Sequence, residues 1–179
     1  FKRETLSGEF LQINAYLVDG PDVFVTAHQG TMNPLIPPVT FGSTPRDGGH
    51  LVIDPKDVDV FMADPVAAKY VHPFMGAREL LHGKKRWCLW LIDLDPRDLS
   101  QSPLLRGRID KVRTWREGSE SKDANEAAAT PHLFWWRSQP DVPYLCIPSV
   151  VSGLRKYFTA QRLPADVISS NAVFTAPDP

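Results

Sequence analysis

Apolar side chains in this chain come in short bursts cut by proline, glycine and aspartate, a pattern that predicts many brief elements with hard boundaries. The longest regular signal runs from Pro103 to about Glu117. There Leu105, Ile109 and Val112 recur at i, i+4 and i+7 and predict an amphipathic helix, with Arg106, Arg108, Lys111, Arg113 and Arg116 spread around its other faces. Residues 86–92 (RWCLWLI) read as a strand apolar on both sides, ending at Asp93. Further strands are expected over 51–53, 133–136, 144–147, 156–159 and 172–175, with Pro140, Pro143, Pro148 and Gly153 in the turns between the later ones. Near the start, Tyr16-Leu17-Val18 and Val23-Phe24-Val25 flank Asp19-Gly20-Pro21-Asp22, a hairpin-like turn signal.

Four dipeptides mark helix starts: Asp54-Pro55, Asp64-Pro65, Asp95-Pro96 and Ser102-Pro103. Each sets an N-cap acceptor before a proline whose missing N–H is harmless in a first turn. Residues 117–129 predict another helix. Residues 31–50, punctuated by Asn33-Pro34, Pro37-Pro38, Gly42, Pro45 and Asp47-Gly48-Gly49, predict a structured loop. Strands and helices mix without a βαβ rhythm, so the expected fold is α+β: a mixed, mainly antiparallel sheet with several short helices. The expected organisation is an irregular lead-in over 1–30 and one compact domain over 31–179.

Composition narrows the class. With 179 residues, 42% hydrophobic and 23% charged, the chain has the make-up of a globular protein rather than a disordered tail. Two cysteines cannot build a disulfide scaffold or a four-thiolate metal site. No apolar run approaches the roughly 20 residues of a membrane-spanning helix, so no membrane partner is expected. The chain lacks an initiator Met and a basic-then-apolar leader, which suggests a processed chain or an excised fragment.

The formal net charge of −1 conceals segregation. Residues 1–64 carry four basic and nine acidic side chains, residues 65–116 eleven and five, and residues 117–179 five and seven. A basic centre between acidic ends suits a phosphate-backbone binder, and it suits docking on an acidic protein surface equally.

Little of this chemistry is catalytic. His28, His50, His72, His82 and His132 show no paired metal-ligand spacing, and no metal is expected. Cys88 and Cys146 sit within apolar strands and read as inert buried thiols. Asp47-Gly48-Gly49-His50 matches no nucleotide-binding loop, and Asp93 and Asp95 are better read as a strand end and a helix cap than as an acid/base pair. Two clusters suit nucleic acid instead. Arg78 to Trp87 is a turn carrying Arg78, Lys84, Lys85 and Arg86 into a strand, where they can take phosphates, and it also fits a solvated hairpin or sheet edge. Arg137-Ser138-Gln139-Pro140 and Ser149 to Tyr157 offer Arg137, Gln139, Ser152, Arg155 and Lys156, including the residue types that pair with guanine and adenine edges, and they also fit ordinary polar turns. Trp135 and Trp136 are expected in the core.

Four stretches in fixed order carry a family resemblance: PPVTFGSTPRDGGHLVI (37–53), DPVAAKYVHPFMGARELLHGKKRWCLWLID (64–93), TPHLFWWRSQPDVPYLCIPSVVSGLRKYF (130–158) and LPADVISSNAVFTAPD (163–178). Together they resemble the target recognition domain of the MmeI-like (type IIL) DNA methyltransferases of bacterial restriction–modification systems. The resemblance covers about residues 10–178. It implies a parent chain with a helical linker, an adenine-N6 methyltransferase domain that uses S-adenosylmethionine (SAM), this recognition domain and a C-terminal helical region, some members adding a nuclease. Residues 1–30 would then lead in from the methyltransferase domain.

The family's SAM-binding glycine motif and its Asn-Pro-Pro-aromatic tetrad are not in this chain. Asn33-Pro34-Leu35-Ile36 lacks the second proline and the aromatic that would stack on a flipped adenine. The resemblance therefore implies a non-catalytic reader of double-stranded DNA in the bacterial cytoplasm, with no cofactor of its own and SAM in the catalytic domain. It places base readers in 130–160, in agreement with Arg137, Gln139, Ser152, Arg155 and Lys156, and leaves Arg78, Lys84, Lys85 and Arg86 for the DNA backbone. Gly153 and Leu154 depart from the polar pair common at that point. Its intramolecular partners would be the methyltransferase domain and the C-terminal helical region. A protein-docking module without base readout is the alternative.

Overall fold

The structure is a computed structural model that describes residues 12–14, 17, 19–21, 33 and 35–178. The chain divides into two compact units, Phe1–Pro34 and Leu35–Pro179. In the first, Ile13 bridges Asp19 and the Leu17 N–H donates to the Asn14 carbonyl (2.9 Å). Apart from Leu17, the extended pieces expected at 16–18 and 23–25 lie outside the described residues.

The second unit holds two sheets rather than the one expected. The strands are β1 (Thr40–Phe41), β2 (Val52–Ile53), β3 (Val71–Met75), β4 (Trp87–Leu89), β5 (Tyr144–Pro148), β6 (Gln161–Leu163), β7 (Ile168–Ser169) and β8 (Val173–Pro177). One sheet has the order β2-β4-β3-β7, antiparallel except for the parallel β3–β7 pair, and the other is a wholly antiparallel β1-β8-β5-β6. The helices are α1 (Val58–Ala63), α2 (Ala77–His82), α3 (Pro96–Gln101), α4 (Pro103–Glu117) and α5 (Lys122–Glu126), with 3₁₀ turns at Ala67–Tyr70 and Ala127–Ala129. The α+β class holds. Among the described residues no helix is long and apolar enough to cross a membrane.

Two cores follow from the two sheets. Leu105, Ile109 and Val112 of α4 pack with Leu51, Ile53, Phe74, Leu89 and Ile168 of the first sheet region. Tyr144, Cys146, Leu163 and Val173 line the inner face of the second sheet, against Ala77 and Leu80 of α2. The sheets meet where β1 runs out beside the β7–β8 turn. Ser43 N–H donates to Ser169 O (2.7 Å) and Gly42 N–H to Val173 O (3.0 Å), and a Cβ on Gly42 would collide with the Ser169 and Ser170 backbone.

The four proline-led starts have different outcomes. Asp95 and Ser102 cap α3 and α4 through the N–H groups of Arg97 and Leu105. Asp64 Oδ1 takes the Val66 and Ala67 N–H groups at the head of a 3₁₀ turn, and its Oδ2 accepts from the Ser102 hydroxyl (2.5 Å). Asp54 instead opens a turn, and α1 begins three residues later behind Asp57.

Several expectations are corrected. Residues 78–82 belong to helix α2, because Glu79 Oε2 accepts the Gly76 N–H at its start and Gly83, at φ 62°, ends it. The first cluster is therefore a helix–turn–strand corner and not a hairpin. Residues 156–159 form no strand, since pairing with β5 begins only at Gln161. The strand β3, interrupted in composition by His72 and Pro73, is not among the expected strands at all. In the expected helix over 117–129, residues 118–121 are irregular.

Arg116 is the largest correction. It is not on a solvated face but 0% exposed, and its guanidinium donates all five N–H groups to backbone carbonyls. Nε reaches Arg46 O (2.9 Å), Nη1 reaches Ala127 O and Thr130 O (2.9 and 3.0 Å), and Nη2 reaches Pro45 O and Leu133 O (2.9 and 2.7 Å). This explains why 133–136 is no strand: Leu133 O is held by Arg116, Phe134 O by Arg137, and only Trp136 pairs, with Thr44.

An ammonium can reach at most three of those carbonyls. Arg116→Lys should lower the unfolding free energy by at least about 2 kcal/mol through the charge-assisted hydrogen bonds it loses. A urea midpoint within error of wild type would refute that role.

Candidate nucleic-acid interface

The basic centre of the sequence becomes selective once its ion pairs are drawn. Lys69 pairs with Asp98, Arg97 with Asp95, Arg108 with Asp57 and Arg113 with Asp110, while Arg106 caps the Leu99 and Ser100 carbonyls. Of the eleven cations in residues 65–116, only Arg78, Lys84, Lys85 and Lys111 have no hydrogen-bond or ion-pair partner among the described residues. Three of these four stand at the α2–β4 corner, all exposed.

Arg86, expected beside them, is turned inward. Its Nη2 meets Glu79 Oε2 at 3.1 Å, its guanidinium lies 4.7 Å from the Phe74 ring centre, and its Nε is buried without a partner. It braces the corner more than it offers charge. Lys84, Lys85 and Arg86 border a recess of about 310 Å³ floored by Pro73, Phe74 and Trp87. The arrangement suits a phosphate over an apolar floor.

The second expected cluster falls into two parts. On the segment before β5, Arg137 is exposed and uses one Nη1 bond to Phe134 O (2.6 Å). It lines a recess of about 400 Å³ with His72, Trp90, Asp141 and Asp166. Gln139 is placed differently. Its Nε2 donates to Ala165 O and Val167 O (both 3.0 Å), and its Oε1 accepts from the Ser169 N–H (2.8 Å) and hydroxyl (3.1 Å). Both donors and both acceptor sites of the amide are engaged, so Gln139 offers no free edge to a base in this conformation. It clamps the segment to β7.

The other part is the β5–β6 loop, residues 149–160. Ser152, Arg155 and Lys156 are all exposed there, and the Ser152 carbonyl takes the Arg155 N–H (3.1 Å). Among the described residues no hydrogen bond or ion pair links the corner, the Arg137 segment and this loop. They are related through packing, as α2 lies under β5, whose end feeds the loop.

Trp136, expected in the core, is 54% exposed, because the segment is irregular and turns the ring outward. Trp135 carries the Arg46 guanidinium 3.9 Å above its ring. Cys88 and Cys146 are fully buried, and burial raises both thiols, Cys146 to about 12, so neither supplies a thiolate at neutral pH. The described residues include no group of three potential metal ligands. At the Asp47-Gly48-Gly49 turn the Asp47 carboxylate is taken by the N–H groups of Gly49 and Leu51, and the Trp115 indole closes over Gly48.

The family described as "MmeI, target recognition domain" matches residues 19–179, and the chain belongs to it. DNA methyltransferase A of Bacillus subtilis (strain 168) is 31% identical over 167 residues, which cover 93% of this chain and 19% of that protein. A solved structure of the type IIL restriction–modification enzyme MmeI in complex with DNA superposes with a TM-score of 0.80 at 34% identity, covering 99% of this chain and 24% of that one. The chain thus spans about a fifth to a quarter of these relatives' lengths.

Two predictions concern the scaffold of the site. Gln139→Glu keeps the shape but sets a carboxylate against Ala165 O and Val167 O, so stability should fall by about 2 kcal/mol or more. Unchanged stability with an altered base preference would make Gln139 a reader instead. Burial, and behind it the charges of Arg116 and Arg137, holds the His132 imidazole below its ordinary value. The unfolded chain then binds the proton more readily, so this contribution is whole above about pH 6.5 and is lost as pH falls below it. Urea midpoints of wild type should drop between pH 7 and 5 more steeply than those of His132→Gln, and parallel curves would reject the assignment.

Proposed function

We propose that this chain reads a specific site in double-stranded DNA and directs to it the methyl transfer of a domain outside this chain. The observation that carries the reading is the partition of charge. Most cations of the basic centre are neutralised or engaged within the fold, and three of the four left free gather at the α2–β4 corner. The β5–β6 loop adds Arg155 and Lys156. Membership of the target recognition family and the likeness to an enzyme solved with DNA support it. In this reading Arg78, Lys84 and Lys85 hold phosphates and fix register, while Arg137, Ser152, Arg155 and Lys156 face base edges. Gln139 and Arg86 position them. Recognition resides in residues 31–179, and residues 1–30 lead in from a SAM-dependent adenine-N6 methyltransferase domain of a cytoplasmic restriction–modification enzyme.

One observation favours protein docking as a second role. An antiparallel sheet with a solvated face usually turns polar side chains to it. The outward positions of the second sheet are instead Phe41, Phe174 and Ile147 in one cross-strand row and Ala176 and Leu145 in the next, with Arg162 the one charged side chain at its β6 edge. This face suits the methyltransferase domain or the C-terminal helical region of a longer chain.

The test is duplex binding by the chain across a salt series, on DNA selected by the chain from a random pool. Lys84→Ala with Lys85→Ala should weaken all sequences alike and reduce the slope of log K against log salt by about 2. Arg155→Ala should change the base accepted at one position and leave the others as they were. Equal affinity for selected and random duplexes would reject base reading.

A further inference from the structure

The β5–β6 loop exposes more apolar surface than its two cations explain. Leu154 is 95% exposed, Tyr157 83% and Phe158 66%, and Val150 and Val151 are exposed beside them. The twelve residues include no acidic side chain. The loop is pinned only at its stems, where Ser149 gives both its N–H and its hydroxyl to Ala172 O (3.0 and 2.9 Å) and Gln161 pairs with Cys146. At the tip Ser152 turns the chain, its Oγ taking the Leu154 N–H (3.3 Å) and its carbonyl the Arg155 N–H (3.1 Å). Nothing lies within 4 Å of where a Gly153 Cβ would stand.

We propose that Leu154 is a wedge that enters the DNA base stack at one step of the recognised site, beside the base edges that Arg155 and Lys156 face. The inference rests on the DNA-reading role above. Exposed apolar clusters of this kind mark contact surfaces, and a protein-facing one is depleted of charge at its centre. Here the most exposed leucine abuts two cations. A duplex answers both features, with an anionic outside and an apolar stack within. Leucine is among the side chains that part base steps, and the tip is prepared for desolvation at the wedge itself, because the Leu154 and Arg155 N–H groups are already bonded within the turn. The neighbouring Tyr157 and Phe158 rings are suited to the exposed base faces that such a wedge creates.

The experiment uses the 179-residue chain and a duplex it selects from a random pool, with 2-aminopurine placed at successive positions. The expected result is a rise in emission at one position on binding by wild type, its loss in Leu154→Ala with affinity down about tenfold, and its return in Leu154→Met. The salt slope should stay as in wild type for both variants, since neither removes a charge. Specific binding with no emission rise at any position, or an equal rise with Leu154→Ala, overturns the wedge and leaves base reading intact. A chain that selects no sequence overturns both.

Discussion

A single buried guanidinium organises the irregular segments that lead into Trp135, Trp136 and Arg137. Arg116 has no carboxylate partner; five backbone carbonyls from three separate segments satisfy it instead. An isolated buried charge is costly, and this one is tolerable because each N–H finds an acceptor at 2.7 to 3.0 Å. Arg46 O and Leu133 O lie in irregular chain, while Pro45 O, Ala127 O and Thr130 O also take the backbone N–H groups of Trp135, Thr130 and Leu133. The cation therefore does for 45–46, 127–130 and 133 what a β-partner does for a strand. Burial holds its pKa below the usual arginine value, yet it remains charged.

Gln139 repeats the logic on a smaller scale. Its amide closes a gap between the Arg137 turn and β7 with four bonds, and Tyr144 adds its hydroxyl to Val167 O at 2.6 Å. Arg86 and Glu79 do the same at the corner. Polar residues of the type that binds DNA are thus divided between those that build the surface and those left free on it. The division cannot be made from residue type, because Arg86 and Lys85 are neighbours with opposite fates.

The features legible in the sequence were local ones. The α4 helix and the caps of α3 and α4 followed from Ser102-Pro103, Asp95-Pro96 and the 105–109–112 stripe. The stripe also held a missed signal: Arg116 stands seven residues after Ile109 and four after Val112, on the buried side of the same helix. Strands β1 and β7 have two residues each, too few for any periodicity, and β3 has proline at its centre. The division into two sheets depended on the crossing at Gly42, a long-range contact with no local mark. At the site, the basic centre was visible, but which charges were free was settled by partners distant in sequence, such as Asp98 for Lys69.

The stems of the β5–β6 loop carry a further consequence. Neither core includes a residue between Ser149 and Gln161, and the sheet hydrogen bonds stop at both ends. The energy of the fold and the sequence of the loop are therefore nearly independent variables. Doubling the length of such a loop costs only about 0.6 kcal/mol in closure entropy. A domain built this way can exchange one such loop for another, of different sequence or length, without renegotiating the packing that holds it.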